Sequence, residues 1–133
     1  MNKKIFVNLP VRDLDISKAF FEKLGYSFNP QFTDDKAACM VVSDDIYVML
    51  LTEPFFKTFT NRSLADARET TEVLVCLNEE SRDDVDRHVQ KALDAGAAEI
   101  RGPQDHGFMY GRSYSDPDGH IWEIIWMDEE VAS

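Results

Sequence analysis

Lys4-Ile5-Phe6-Val7-Asn8-Leu9-Pro10-Val11, running on through Asp13 to Leu24 and stopping at Gly25, decides the fold because the chain says it twice. Thr71-Glu72-Val73-Leu74-Val75-Cys76-Leu77 leads in the same way through Ser81 to Ala95 and stops at Gly96. Each half reads as strand, helix and glycine stop, followed by β-rich segments that end at Ile46 to Leu51 in the first half and Ile121 to Met127 in the second. An internal repeat of this kind constrains the whole architecture before any single element is assigned.

Working outward, Asp13 or Asp15 caps the first helix, with Ile16, Ala19, Phe20, Lys23 and Leu24 at helical spacing. Ser81 with Asp84 three residues on forms the start of the second helix, and Val85, Val89, Ala92 and Leu93 make its apolar stripe. Glu53 to Glu69, with Pro54, Phe55, Phe56 and Phe59 and a helical stretch around Leu64 to Arg68, reads as linker and lid.

Alternation places side chains two apart on one strand face. Ile5, Val7, Leu9 and Val11 make an aliphatic face suited to packing beneath a helix, leaving Phe6 and Asn8 opposite. Val73, Val75 and Leu77 match that face in the second half, which leaves Glu72, Leu74 and Cys76 opposite and pairs Glu72 with Phe6. In the last strand Trp122, Ile124 and Trp126 share one face; Glu123 is a lone carboxylate in the row Ile121, Ile125, Met127, with Met49 as its counterpart.

At 133 residues the chain is expected to form one domain: module one at about 1–52, linker or lid at about 53–70, module two at about 71–128. The apolar fraction of 44% is that of a globular protein, and neither a signal-peptide core nor a membrane span is found, so a cytoplasmic location is the default. The net charge of −11 repels phosphate backbones and anionic lipid, which argues against nucleic acid and membranes as partners. Cys39 and Cys76, in apolar runs without Cys-x-x-Cys spacing, read as two small buried thiols.

The opening Val7-Asn8-Leu9-Pro10-Val11-Arg12-Asp13-Leu14, with Lys18-Ala19-Phe20-Phe21, Leu24-Gly25-Tyr26 and the ending Asp116-Pro117-Asp118-Gly119-His120-Ile121-Trp122-Glu123, resembles the vicinal oxygen chelate superfamily. That superfamily includes glyoxalase I, bleomycin-resistance proteins, fosfomycin-resistance enzymes and extradiol dioxygenases. Asp105 to Arg112 looks like a branch described as related to lactoylglutathione lyase. The resemblance implies an α+β fold of two tandem βαβββ modules whose mixed sheet curls into a cup, the glyoxalase/bleomycin-resistance/dihydroxybiphenyl dioxygenase-like fold, with a homodimer and a small-molecule ligand.

It also implies a divalent metal, Ni, Zn, Mn, Co or Fe, held by His, Glu or Gln. Carried over, the four ligand positions here are Phe6, Met49, Glu72 and Glu123, of which only Glu72 and Glu123 can ligate a hard ion. His88, among Asp84, Arg87 and Lys91, reads as a solvated helix residue and His120 as structural. His106 could reach over the cup as ligand or general base. The candidate catalytic set is therefore Glu123, Glu72 and His106; Arg112, Tyr110, Phe6 and Met49 are candidates for substrate binding. Asp116 to Gly119 is read as a hairpin turn without chemistry. Three functions remain open on this reading: glyoxalase-like lyase or isomerase chemistry on an oxygen-rich small molecule, bleomycin-resistance-like sequestration of a cationic ligand, and metal-free catalysis by paired carboxylates.

Overall fold

β1 (Ile5–Val11) shows the alternation that its sequence demands, with Leu9 and Val11 buried and Phe6 and Asn8 exposed. The computed structural model describes residues 1–132. These form two compact units, Met1–Leu64 and Ala65 onward.

In the first unit, α1 (Leu14–Lys23) follows β1, and Asp13 caps it by accepting a hydrogen bond from the Ile16 amide at 3.1 Å. β2 (Ser27–Phe28), β3 (Ala37–Val41) and β4 (Ile46–Thr52) complete a sheet in the order β1-β4-β3-β2. β1 and β4 run parallel, the other pairs antiparallel. Only a crossover makes that parallel pair possible, and α1 supplies it. The core between helix and sheet is Leu9, Val11, Phe20, Phe21, Leu24, Ala38, Met40, Val48 and Leu50.

The helix stripe differs from its expectation. Leu14, Ser17, Phe20 and Phe21 face inward, whereas Ile16 is 56% exposed and Ala19 is exposed. Both faces of this helix carry apolar residues, so the sequence period alone does not orient it. The cap at Asp13 and the packing of Phe21 do.

The second unit repeats the plan. β5 (Leu74–Asn78) leads to α3 (Arg82–Asp94), then come β6 (Ala98–Glu99), β7 (Gln104–Asp105), β8 (Met109–Ser115) and β9 (Ile121–Met127) in the order β5-β9-β8-β6, with β7 also on β8. β5 and β9 are parallel. This is the expected α+β fold of two βαβββ modules, resolved as two mixed sheets. Val85, Val89 and Ala92 of α3 lie fully buried, as do Tyr114, Trp122 and Ile124. Ser81 Oγ accepts from the Asp84 amide at 3.1 Å to cap α3. Ser81→Ala should cost about 1 kcal/mol, read as a lower urea midpoint; no change would mean that the cap bond contributes nothing.

The stretch after β4 does not run as expected. α2 (Glu53–Phe56) and a short 3-10 turn at Lys57–Phe59 follow β4 directly, and α2 packs on β1 and β4. The helix expected around Leu64 to Arg68 is a turn, closed by amides of Glu69 and Thr70 donating to the Asp66 carbonyl. A last short helix, α4 (Glu129–Ala132), ends the described chain.

Asp116 to Gly119 is a structural turn. Asp116 Oδ1 accepts from the amides of Asp118 and His120, and Oδ2 from Trp122 Nε1 at 3.0 Å. Burial raises the Asp116 carboxyl above its ordinary range, against the pull of His120 and these donors. Gly119 sits at φ +90, and a Cβ there would lie 2.7–2.8 Å from Arg68 Cγ and N. Both conformation and space require glycine at this position.

His88 is a second correction. Its side chain is only 10% exposed, with Nδ1 3.3 Å from Glu79 Oε2 and Nε2 3.1 Å from the Tyr114 hydroxyl. Burial depresses its pKa, partly opposed by the Glu79 carboxylate, with Lys91 adding to the depression. A depressed folded-state value means that the unfolded chain takes up a proton the folded chain refuses. Stability from this group is therefore complete above about pH 6.5, the ordinary histidine value, and is lost as pH falls through the lower folded value. His88→Gln should flatten the unfolding free energy between about pH 7 and pH 5; an unchanged slope would contradict this role.

Candidate functional site

Register determines which side chains meet. On β9, Trp122 and Ile124 point beneath α3, so Ile121, Glu123 and Ile125 line the opposite, open face of the second sheet. Cys76 of β5 lies opposite Glu123 on one side and Ser113 of β8 on the other. Gly111 lies opposite Ile125, and its missing side chain leaves the face open: a Cβ there would come within 3.1 Å of Ile125 Cγ2.

These strands floor a recess of about 140 Å³, lined by Glu123, Ser113, Ile125, Met109 and Arg112 together with Arg101 and His106. Glu123 is half-buried and, among the described residues, accepts no hydrogen bond and pairs with no cation. Its one electrostatic neighbour is Cys76, whose thiol is pushed up first by burial and then by the Glu123 carboxylate. Cys76 as a residue is exposed, on the edge strand β5, although its thiol is partly withdrawn from water; Cys39 is the buried cysteine.

His106 is exposed, in the bend between β7 and β8, with its amide donating to the Met109 carbonyl at 2.8 Å. That bend is pinned by Arg82 from α3, which reaches Asp105 at 2.6 Å and the Gly107 carbonyl at 2.7 Å. The Arg82 guanidinium also lies 5.4 Å from the Tyr110 ring and 5.0 Å from that of Trp126. Sequence reading passed over Arg82; its place at the first turn of the helix, across from an aromatic pair, is visible only in three dimensions.

Arg112 and Tyr110 stand on the other side of the sheet. Their β9 partners are Ile124 and Trp126, the helix-facing row. Arg112 is held by Glu99 at 2.9 Å and Asp86 at 3.1 Å, which raise its pKa, Glu99 most. The Tyr110 hydroxyl donates to Asp86 at 2.6 Å, and burial, then Asp86, pushes its pKa up to about 12. Both are committed to joining α3 to β8; Arg112 is also among the residues lining the recess, but its guanidinium is held by Glu99 and Asp86.

Glu72 does not meet Glu123. It lies two residues ahead of β5 on an exposed stretch, and Cys76 is the residue that stands opposite Glu123. Four residues of extended chain separate Glu72 from Cys76, ~13 Å. The counterpart of Phe6 is Leu74: Asn8 pairs with Met49 as Cys76 pairs with Glu123, and Phe6 and Leu74 each stand two residues earlier. On the open face of the first sheet, Phe6 stacks on Tyr47 at 4.8 Å, with Asn8 and Met49 beside them.

This donor set does not fit a divalent metal. In the second unit Glu123 is a single carboxylate flanked by a thiol and a hydroxyl, with the one imidazole of His106 lining the same recess; in the first unit, taken by itself, Met49 and Phe6 offer no hard oxygen or nitrogen. Among the described residues, no three His, Cys, Asp or Glu side chains converge. Nor is any helix long and apolar enough to cross a membrane, among those described.

Comparison with known proteins agrees with this architecture. Residues 3–43 match the family described as bleomycin resistance protein-like N-terminal. The hypothetical protein SA1046 from S. aureus superposes with a TM-score of 0.79 at 29% identity, over 95% of each chain. A glyoxalase/bleomycin resistance protein/dioxygenase family enzyme from Burkholderia phytofirmans gives 0.78 at 17% identity, over 95% of this chain and 99% of the other. The bleomycin resistance determinant encoded on transposon Tn5 gives 0.68 at 20% identity, over 96% and 99%. No curated protein matches.

Proposed function

We propose that this chain, whose residues 3–43 match the bleomycin resistance protein-like N-terminal family and whose fold is shared with glyoxalase/bleomycin resistance proteins, holds a small organic cation on Glu123 in its second module without a metal ion. The observation that carries this reading is Glu123 itself, a half-buried carboxylate lining a recess and served by no donor among the described residues. A carboxylate partly removed from water is costly unless something pairs with it. A ligand ammonium group offsets that cost with a charge-assisted hydrogen bond. Ile125 and Met109 offer apolar walls for the carbon skeleton.

The net charge of −11 raises the local concentration of cations and speeds their encounter with the recess. The recess is small beside the ~300–1,000 Å³ of drug-sized sites, so it suits a single amine head group or one end of a larger ligand. Glyoxalase-like lyase chemistry would need a fuller set of hard ligands: Glu72 lies ahead of β5 and does not meet Glu123, and His106, which lines the recess, adds a single imidazole.

The test is a nitrogen-15 NMR titration of the whole chain with butylammonium, with 1-butanol as its uncharged counterpart. Saturable shifts around Ser113 and Glu123 with butylammonium alone support cation binding. Equal response to the alcohol, or none to either, overturns it.

A further inference from the structure

Two charges of opposite sign face the same recess, and neither is neutralised. Arg101 and Glu123 both line it, yet no ion pair joins them, and among the described residues Arg101 has no other carboxylate partner. This is unusual for the module. Arg68 pairs with Asp66, Arg82 with Asp105, Arg87 with Asp84, and Arg112 with Glu99 and Asp86. Arg101 sits on the short segment between β6 and β7.

That backbone is well tethered. The Ile100 amide donates to the Ser113 carbonyl at 3.2 Å, Pro103 restricts the segment, and β6 and β7 on either side both pair with β8. Arg101 thus rises one strand beyond Ser113, which itself stands opposite Glu123. Two strand spacings, ~10 Å, separate the backbones from which the two side chains extend. The gap between their charged ends is one that a ligand with charges at both ends can span.

From this pairing we infer that the ligand is a zwitterion, its amine on Glu123 and an anionic group, a carboxylate or its equivalent, on Arg101. The inference rests on the reading of Glu123 as a cation site and adds the second half of the ligand. A plain amine satisfies the floor and leaves Arg101 in water; a plain carboxylate meets Arg101 but is repelled by Glu123. Only a molecule carrying both charges gains at each end, and each end excludes the wrong partner for the other. No covalent step is involved.

The test uses the full chain and compares butylammonium, butyrate and the ω-amino acids of three to six carbons by NMR titration. At least one ω-amino acid should bind fivefold or more tightly than butylammonium, and butyrate should bind worst. Arg101→Gln should abolish that advantage over butylammonium, and Arg101→Lys should restore part of it. Arg101 is exposed, so both variants are expected to fold. If the ω-amino acids gain nothing, or the gain survives Arg101→Gln, the zwitterion inference falls while the cation reading stands. If butylammonium itself fails to bind, both fall.

Discussion

Trp122→Ala lowers the unfolding free energy by about 4 kcal/mol, the largest stability loss expected of any single change in the second module. Trp122 is wholly buried, faces the underside of α3, and pairs across the sheet with Tyr114 on one side and Val75 on the other. Truncation therefore leaves a cavity in the centre of that core. It also removes the Nε1 donor from Asp116, a buried carboxyl that organises the turn before β9. Trp122→Phe keeps most of the volume and loses the donor, so about 2 kcal/mol is expected, the cost of leaving one buried acceptor unserved. Urea unfolding followed by circular dichroism reads both. Equal losses would assign the effect to the hydrogen bond alone, and a loss under about 1 kcal/mol for alanine would contradict the packing described. Against a typical total of ~5–15 kcal/mol, the alanine variant approaches the limit of folding.

Glu123→Gln has the opposite balance: function falls while stability holds. The amide keeps the shape of the side chain and removes its charge. Because no donor among the described residues serves the carboxylate, folding loses nothing when the charge goes, and the thermal midpoint should stay level or rise. Binding of butylammonium should weaken at least about tenfold, the value of one partly desolvated charged hydrogen bond. A substantial fall in the thermal midpoint would mean that Glu123 has a structural partner. Unchanged affinity would remove it from the site.

Why the strand face of Glu123 could be read from the sequence while the position of Glu72 could not comes down to what each assignment needs. Glu123 stands out because a carboxylate in an otherwise apolar alternating row is a local anomaly, visible without knowing which strand lies alongside. Glu72 required knowing where β5 begins and how it aligns with β9, and that register is set by pairing between strands more than forty residues apart. Counting the aliphatic face from Val73 was off by one turn of the pattern, because the structure pairs Leu74, not Glu72, with the position of Phe6.

Arg112 illustrates the same limit. One residue along a strand reverses the face, and only the pairing of Ser113 with Glu123 reveals that Arg112 looks toward α3. His88 has charged neighbours on its own helix, so it reads as solvated; Glu79 and Tyr114, which bury it, come from other elements. By contrast, the repeat, both helix caps and the Asp-Pro-Asp-Gly turn are local signals, and these carried the fold. Arg101, on a segment without strong periodicity, reads from its charge as a counter-ion for Glu123, as Arg112 does; among the described residues neither arginine pairs with it.

The central claim is that the recess around Glu123 binds a cation with no metal present. It is tested most directly by titrating the whole chain with butylammonium in excess EDTA, following the amide resonances of Gly111, Ser113, Glu123 and Ile125. The expected result is saturable shifts at these four positions, the same with and without the chelator. Shifts that vanish in EDTA and return when Ni or Zn is supplied would contradict it and make the carboxylate a metal ligand.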